Sequence, residues 1–135
     1  MQKITPKIAF TDERGEIIDL IEHENINAVT LLTIKKGAVR GNHYHKNTTQ
    51  WNYIISGVMK LVTQMPIEST KETLMYPGDL TATIPNEKHA LVAEEDVVCL
   101  VFTKGPRSGS DYESDTFRLE TPIYPPSKKR KPAEK

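Results

Sequence analysis

Residues 37–57 read GAVRGNHYHKNTTQWNYIISG, and this stretch decides the interpretation of the whole chain. It contains two of the four histidines and the single tryptophan. His43 and His45 are separated by one residue, and residues i and i+2 of a strand point to the same face of a sheet. Gln50 follows a short polar segment that allows the chain to turn back. The stretch therefore predicts a small polar site on a β-sheet.

Short apolar and β-branched segments recur on both sides of this stretch. Gly, Pro, Asn and Asp turn signals separate them at intervals of about 8–12 residues, and no segment has convincing helical periodicity. The pattern predicts an all-β sandwich or barrel. The predicted strands cover residues 7–10, 16–22, 28–34, 38–45, 50–56, 58–65, 72–76, 80–84, 89–92 and 97–103.

The length of 135 residues predicts a single domain. We expect this domain to cover residues 1–124, followed by a disordered basic tail over residues 125–135. Residues 107–124 are predicted to cover the outside of the domain. The acidic segment 111–115 is more simply part of this covering than a lid over the barrel mouth.

Composition narrows the class of partner and the compartment. The tail carries five basic residues and one acidic residue, which leaves 13 basic and 17 acidic residues elsewhere and a net charge of −4. An acidic body argues against a nucleic-acid surface. No apolar run approaches the ~20 residues of a membrane span, and residues 1–7 do not resemble a signal peptide. Cys99 is the single cysteine, so we expect a cytoplasmic protein without a disulfide framework.

Three histidines and an amide define the candidate site: His43, His45, Gln50 and His89. Imidazole nitrogens and an amide oxygen are suitable ligands for one divalent metal. Without a metal, an imidazole with a pKa near ~6.5 is a good general base at neutral pH. Both interpretations stay open, and both are favoured over histidines without function.

The spacing within this stretch resembles the first motif of the cupin superfamily, in which Glu stands at the position of Gln50. A second, weaker resemblance ends at His89, with Ile84 and Asn86 in place of the motif's Pro and Gly. The matching residues are Gly37, His43, His45, Gln50 and Gly57 in the first motif and Gly78 and His89 in the second.

The resemblance covers about residues 28–104 and implies a double-stranded β-helix, or jelly-roll barrel, which is commonly a homodimer. In the metal-binding members, the positions of His43, His45, Gln50 and His89 are the ligands. We therefore expect either no cofactor or one Zn, Fe, Ni or Mn ion.

Arg40-Gly-Asn-His43-Tyr-His45, preceded by Asp12-Glu-Arg-Gly, looks like the nucleotide-sugar cupins. These include 3,4-ketoisomerases, dTDP-4-dehydrorhamnose 3,5-epimerases and the cupin domain of capsular-polysaccharide epimerase-reductases. In the ketoisomerases the matching His43 and His45 are catalytic without a metal. In the epimerases Arg40 and His43 match residues that contact substrate and remove a proton, but Tyr53 replaces their Lys. In the capsular enzymes the motif binds zinc.

We therefore predict an enzyme that isomerises or epimerises a nucleotide-linked keto sugar in polysaccharide or deoxysugar biosynthesis. His43 and His45 are its candidate catalytic residues, and Arg40 and Asn52 are its candidate substrate contacts. Strand alternation places Arg40 on the face opposite His43 unless a bulge at Gly41 re-aims it. The alternatives are a metal-dependent dioxygenase or other isomerase, and a non-catalytic sugar- or metabolite-binding module.

Overall fold

The computed structural model describes residues 2–125. Within this range the chain forms twelve strands and one short helix. In chain order they are β1 Gln2–Ile4, β2 Lys7–Asp12, β3 Gly15–Asp19, β4 Ala28–Ile34, β5 Val39–Tyr44, β6 Thr49–Ser56, β7 Met59–Gln64, β8 Lys71–Met75, β9 Leu80–Thr83, β10 Lys88–Ala93, β11 Val97–Lys104, α1 Gly109–Ser114 and β12 Phe117–Arg118.

Two five-stranded antiparallel sheets form the jelly roll. One has the strand order β1-β9-β6-β11-β4, and the other has the order β12-β5-β10-β7-β8. Strands β2 and β3 pair only with each other, as a separate hairpin. The predicted all-β fold is confirmed, and its sheets join strands from distant parts of the sequence.

Alternating apolar residues build the main core between the two sheets. Val97, Cys99 and Val101 are the buried apolar positions of β11, and they belong to one apolar cluster with Ile54 of β6 and Leu61 of β7. Ile54 and Leu61 are fully buried, and burial of each such side chain contributes about 1.5–3 kcal/mol.

Strands that contribute to the core also carry polar residues of the candidate site. Gln50 and Asn52 lie on the face of β6 that presents Ile54, because their positions differ by multiples of two. On β10, His89 shares a face with the core residue Leu91 in the same way. The rigid apolar core therefore fixes the directions in which the polar side chains point.

Three elements differ from the sequence prediction. Strands β1 and β12 were not predicted, and α1 shows that the expectation of no helix was wrong. Strand β1 has three residues and β12 has two, so each forms through pairing with β9 or β5 and carries little local signal. No helix between residues 2 and 125 is long and apolar enough to span a membrane.

The domain boundary at residue 124 stays a prediction. Residues 126–135, which include most of the expected basic tail, lie outside the described residues. Residues 117–118 join the edge of the second sheet as β12, and Ile123 and Tyr124 pack against Val62 and Val92 of the same sheet.

Candidate functional site

Three imidazoles converge between the two sheets. His43 lies on β5 and is paired with His89 on β10, while His45 follows directly after the end of β5. The ring centroid of His43 is 4.8 Å from that of His45 and 4.6 Å from that of His89. One ring nitrogen from each of the three lies within 4.8 Å of the others. The structure thus brings together the histidines that the sequence predicted as a cluster.

Backbone carbonyls set the tautomers of two of these rings. The Nδ1 of His45 lies 2.9 Å from the Asp115 carbonyl oxygen, and the Nδ1 of His89 lies 3.1 Å from the Glu87 carbonyl oxygen. A carbonyl oxygen only accepts hydrogen bonds, so each Nδ1 carries the proton in the neutral ring. Each Nε2 then holds a lone pair. The Nε2 of His45 is buried and has no hydrogen-bond partner among residues 2–125.

The site strongly disfavours charged imidazoles. Burial, followed by repulsion from His89, His45 and Arg118, lowers the pKa of His43 to about 3. Burial and the neighbouring His45 also lower the pKa of His89 to about 3. Both rings are therefore neutral at pH 7 and can accept a proton or donate a lone pair.

A bulge on β5 places Arg40 beside the same cavity as His43. His89 pairs with His43, but Ala90 pairs with Gly41, so Asn42 is the extra residue of the bulge. Gly41 and Asn42 have φ values of 90° and 58°, in the left-handed region. A Cβ on Gly41 would lie 2.8 Å from the His89 carbonyl oxygen, so glycine allows the close approach. This bulge at Gly41 re-aims Arg40, so that Arg40 reaches the cavity although strand alternation alone would place it on the other face.

A cavity of about 500 Å³ opens beside the imidazoles. Gln50 and Asn52 of β6 line it and are buried, and the exposed Arg40 also lines it. The side chains of Leu32, Leu91 and Val101 form part of its apolar wall. The cavity therefore contains five of the six predicted site residues, and His45 lies behind it against the other two imidazoles.

Residues 105–115, which we call the flap, cover the mouth of this cavity and include α1. The buried Asp115 carboxylate accepts hydrogen bonds from Thr48 Oγ1 at 2.6 Å and from the backbone N–H of Asn47 at 3.1 Å. Lys46 N–H also donates to it, at 3.1 Å. Although burial raises the pKa of Asp115, these hydrogen bonds outweigh it and lower the pKa overall. The favoured expectation that segment 111–115 only covers the outside was wrong.

The flap contributes site residues that sequence reasoning missed. Arg107, Gly109, Tyr112 and Glu113 line the cavity, and the Tyr112 ring centroid is 5.6 Å from that of His45. No local pattern marks these residues, because the contacts that position them join segments about 70 residues apart in the chain.

The imidazole cluster fits a divalent metal ion. Two rings have their Nδ1–H groups held by carbonyls, which is the arrangement that orients metal-binding histidines. Within the described part of the chain, the buried Nε2 of His45 has no other partner. His43, His45 and His89 would hold the ion, and Gln50 is the fourth candidate ligand. The neutral amide of Gln50 makes this set weaker than one with a carboxylate.

Comparisons with known proteins agree with this fold. The family model described as Polysaccharide biosynthesis C-terminal domain matches residues 10–98. No curated protein sequence matches the chain. A QdtA 3,4-ketoisomerase variant from Thermoanaerobacterium thermosaccharolyticum, in complex with TDP, is 25% identical with a TM-score of 0.70. The match covers 87% of this chain and 86% of that one.

Two more distant structures show the same fold. The WlaRB TDP-quinovose 3,4-ketoisomerase from Campylobacter jejuni is 17% identical, with a TM-score of 0.73 over 87% of this chain and 92% of that one. The dTDP-4-dehydrorhamnose 3,5-epimerase from Sulfolobus tokodaii is 19% identical, with a TM-score of 0.66 over 84% of this chain and 73% of that one. These structures confirm the predicted jelly roll.

Proposed function

Because the chain belongs to the polysaccharide biosynthesis C-terminal domain family, we propose that it isomerises or epimerises a nucleotide-linked keto sugar. The structural relatives support this substrate class, since one 3,4-ketoisomerase of this fold is in complex with TDP-4-keto-6-deoxyglucose. The observation that carries the proposal is the position of His43. Its neutral imidazole lines a cavity that also contains Arg40.

His43 is the proposed base. A proton on the carbon beside a ketone is acidic, because the electron pair left behind is delocalised into an enolate. In a 3,4-isomerisation, His43 takes the C3 proton and the enediolate forms. The proton then adds to C4, while the 3-hydroxyl gives its proton to the former keto oxygen on C4, so that C3 becomes the ketone and C4 carries the hydroxyl. In an epimerisation, a separate proton donor on the opposite face of the sugar protonates the same carbon.

The low pKa of His43 keeps the ring in its base form but also limits its affinity for a proton. A developing enolate oxygen nearby raises that affinity, because negative charge favours the imidazolium. Proton transfer is thus coupled to the appearance of negative charge on the substrate. His45 and His89 support the neighbouring ring, with their own protons fixed on Nδ1.

Arg40, Gln50 and Asn52 are proposed to orient the substrate. The two amides are buried on the wall of the cavity and can bind sugar hydroxyl or keto groups. Arg40 is exposed at the same cavity and offers a planar fork suited to phosphate oxygens.

The product identifies the reaction. Purified protein is incubated with TDP-4-keto-6-deoxyglucose, and the sugar is followed by NMR. A 3-keto product supports 3,4-isomerisation, and inversion at C3 or C5 supports epimerisation. An unchanged sugar, with this and other 4-keto nucleotide sugars, contradicts the proposal.

A metal-dependent version of this enzyme is the second candidate, and the unpartnered Nε2 of His45 favours it. A divalent ion would act as a Lewis acid toward a substrate oxygen. Metal analysis of the purified protein tests this version. Stoichiometric metal that is lost in His45→Ala but kept in the exposed His23→Ala supports it. Full activity of chelator-treated protein contradicts it.

We further propose a cytoplasmic homodimer. Strand β4 is an edge strand, and its Val29 and Leu31 side chains are 59% and 65% exposed. The β2–β3 hairpin also exposes Ile8 and Phe10, and isolated two-stranded hairpins are at best marginally stable. Packing against a second copy would bury these side chains. The nucleotide-sugar substrate class and the single reduced cysteine support the cytoplasm.

A further inference from the structure

The four arginines between residues 2 and 125 fall into two pairs. Arg14 and Arg118 each bind a carboxylate, from Asp12 and Glu113 respectively. Arg40 and Arg107 line the cavity, and no carboxylate within the described residues lies at ion-pair distance from either. The arginines without an acidic partner are thus the two that face the cavity.

The cavity mouth is positively charged, whereas the chain before the C-terminal tail is negatively charged overall. The chain before the C-terminal tail has a net charge of −4, from 13 basic and 17 acidic residues. Glu113 is the acidic residue that lines the cavity, and Arg118 holds its two oxygens at 3.0 and 3.1 Å. Arg40 and Arg107 therefore leave about two uncompensated positive charges at the mouth, where they attract anions.

Contacts at both ends of the flap fix the position of Arg107. Two residues before it, Gly105 N–H donates to Asn27 Oδ1 at 2.9 Å, and Asn27 Nδ2 donates to the Gly105 carbonyl at 2.6 Å. A Cβ on Gly105 would lie 2.6 Å from the Asn47 carbonyl oxygen, so the flap packs directly on the loop between β5 and β6. The Asp115 carboxylate binds the same loop at the other end of the flap.

The side chain of Arg107 is also supported. Its guanidinium carbon lies 4.5 Å above the centre of the Tyr112 ring. Such a cation–π contact orients the planar guanidinium while leaving its N–H edge available for hydrogen bonds. Tyr112 itself lies over His45, so the contact links the flap surface to the imidazole cluster.

We propose that Arg107 and Arg40 together bind the diphosphate of the nucleotide sugar, with Arg107 as the contact supplied by the flap. This inference rests on the proposed function. A diphosphate carries at least two negative charges on adjacent groups, and two arginine forks on a shared cavity match them. The diphosphate would then fasten the substrate across the cavity mouth, with the sugar directed toward His43.

Titration calorimetry with TDP, UDP and TMP tests this role, using Arg107→Gln and Arg107→Lys. We expect Arg107→Gln to weaken TDP binding roughly tenfold to a hundredfold, since hydrogen bonds to charged groups contribute that much. Binding of TMP should weaken less, and Arg107→Lys should recover part of the loss. Lys104→Gln is the matched control, because Lys104 precedes the flap but binds Glu24 on the surface.

Tyr112 provides a second test. Tyr112→Phe keeps the ring under Arg107 and should retain TDP affinity, whereas Tyr112→Ala should weaken it several-fold. Thermal melting of each variant confirms that it is folded. If wild type binds TDP and Arg107→Gln binds it equally well, the role of Arg107 is overturned while the proposed function stands. If wild type binds neither TDP nor UDP, the nucleotide-sugar assignment itself fails.

Discussion

His45 donates its Nδ1–H to the backbone carbonyl of Asp115, across 70 residues of sequence and a distance of 2.9 Å. The contact joins the imidazole cluster to the last residue of the flap. The Asp115 side chain binds Thr48 and Asn47 at the same time. Asp115 therefore fixes the tautomer of His45 through its carbonyl and positions the loop that follows His45 through its side chain.

Removal of the Asp115 carboxylate should destabilise the protein. Asp115→Ala leaves the hydroxyl of Thr48 and two backbone N–H groups without their acceptor, which we expect to cost about 2–4 kcal/mol. Urea unfolding measures this free energy. Asp111→Ala removes an exposed carboxylate from α1, the helix that precedes Asp115, and should change it by less than about 0.5 kcal/mol. Equal losses of unfolding free energy in the two variants would show that the hydrogen bonds of the Asp115 carboxylate do not stabilise the fold.

The β5 bulge should tolerate no side chain at Gly41. Gly41 and Gly78 have nearly the same φ, at 90° and 91°, but only a Cβ on Gly41 meets another atom, at 2.8 Å. Gly78→Ala should cost about 1–2 kcal/mol for backbone strain alone. Gly41→Ala should cost more in urea unfolding and should also weaken TDP binding, because Arg40 directly precedes the bulge. Identical behaviour of the two variants would contradict this account of the bulge.

Acid should destabilise the chelator-treated protein through its histidines. The folded pKa values of His43 and His89 are about 3, below the unfolded value near 6.5. The unfolded chain therefore binds more protons between these values. Stability is fully present above about pH 6.5 and falls as the pH drops, by up to about 1.4 kcal/mol per unit for each histidine.

Denaturation at several pH values from 7 to 5 measures this slope. His43→Asn removes one of the titrating groups and should make the slope shallower. Exposed His23→Asn should leave it unchanged. A wild-type stability that is flat between pH 7 and 5 would show that the imidazoles are not held neutral by the fold.

The proposed dimer should depend on the outer face of β4. Leu31→Lys places a charge where Leu31 is 65% exposed, so the monomer fold should survive while packing between copies is lost. Light scattering after size exclusion should give about 30 kDa for wild type and 15.3 kDa for the variant. Glu68→Lys, in the exposed β7–β8 loop, is the control. A monomeric wild type would refute the dimer.

The sequence predicted the strands and the His43–His45 pair because both rest on short spacings. His43 and His45 differ by two positions, and Gln50 and His89 lie in recognisable motifs. Asn86, the residue in place of the motif's Gly, adopts a φ of 69°, as its tolerance of positive φ allows. Strand alternation alone gave the wrong side for Arg40, and the bulge at Gly41 explains the difference.

The flap was not predictable in the same way. Helix α1 has six residues, too few for a clear period, and none of them is buried. The positions of Arg107 and Tyr112 depend on contacts of Gly105 with Asn27 and of Asp115 with Thr48. These contacts join residues that are far apart in the sequence, so no local pattern predicts them. Their place at the cavity mouth required the three-dimensional structure.

Deuterium exchange into the substrate tests the central claim most directly. Wild type, His43→Gln and His23→Gln are each incubated with TDP-4-keto-6-deoxyglucose in deuterated water, and NMR follows the protons at C3 and C5. We predict that wild type and His23→Gln exchange one of these protons, and that His43→Gln exchanges it at least a hundredfold more slowly. Equal exchange by wild type and His43→Gln, or no exchange by wild type, would contradict the account.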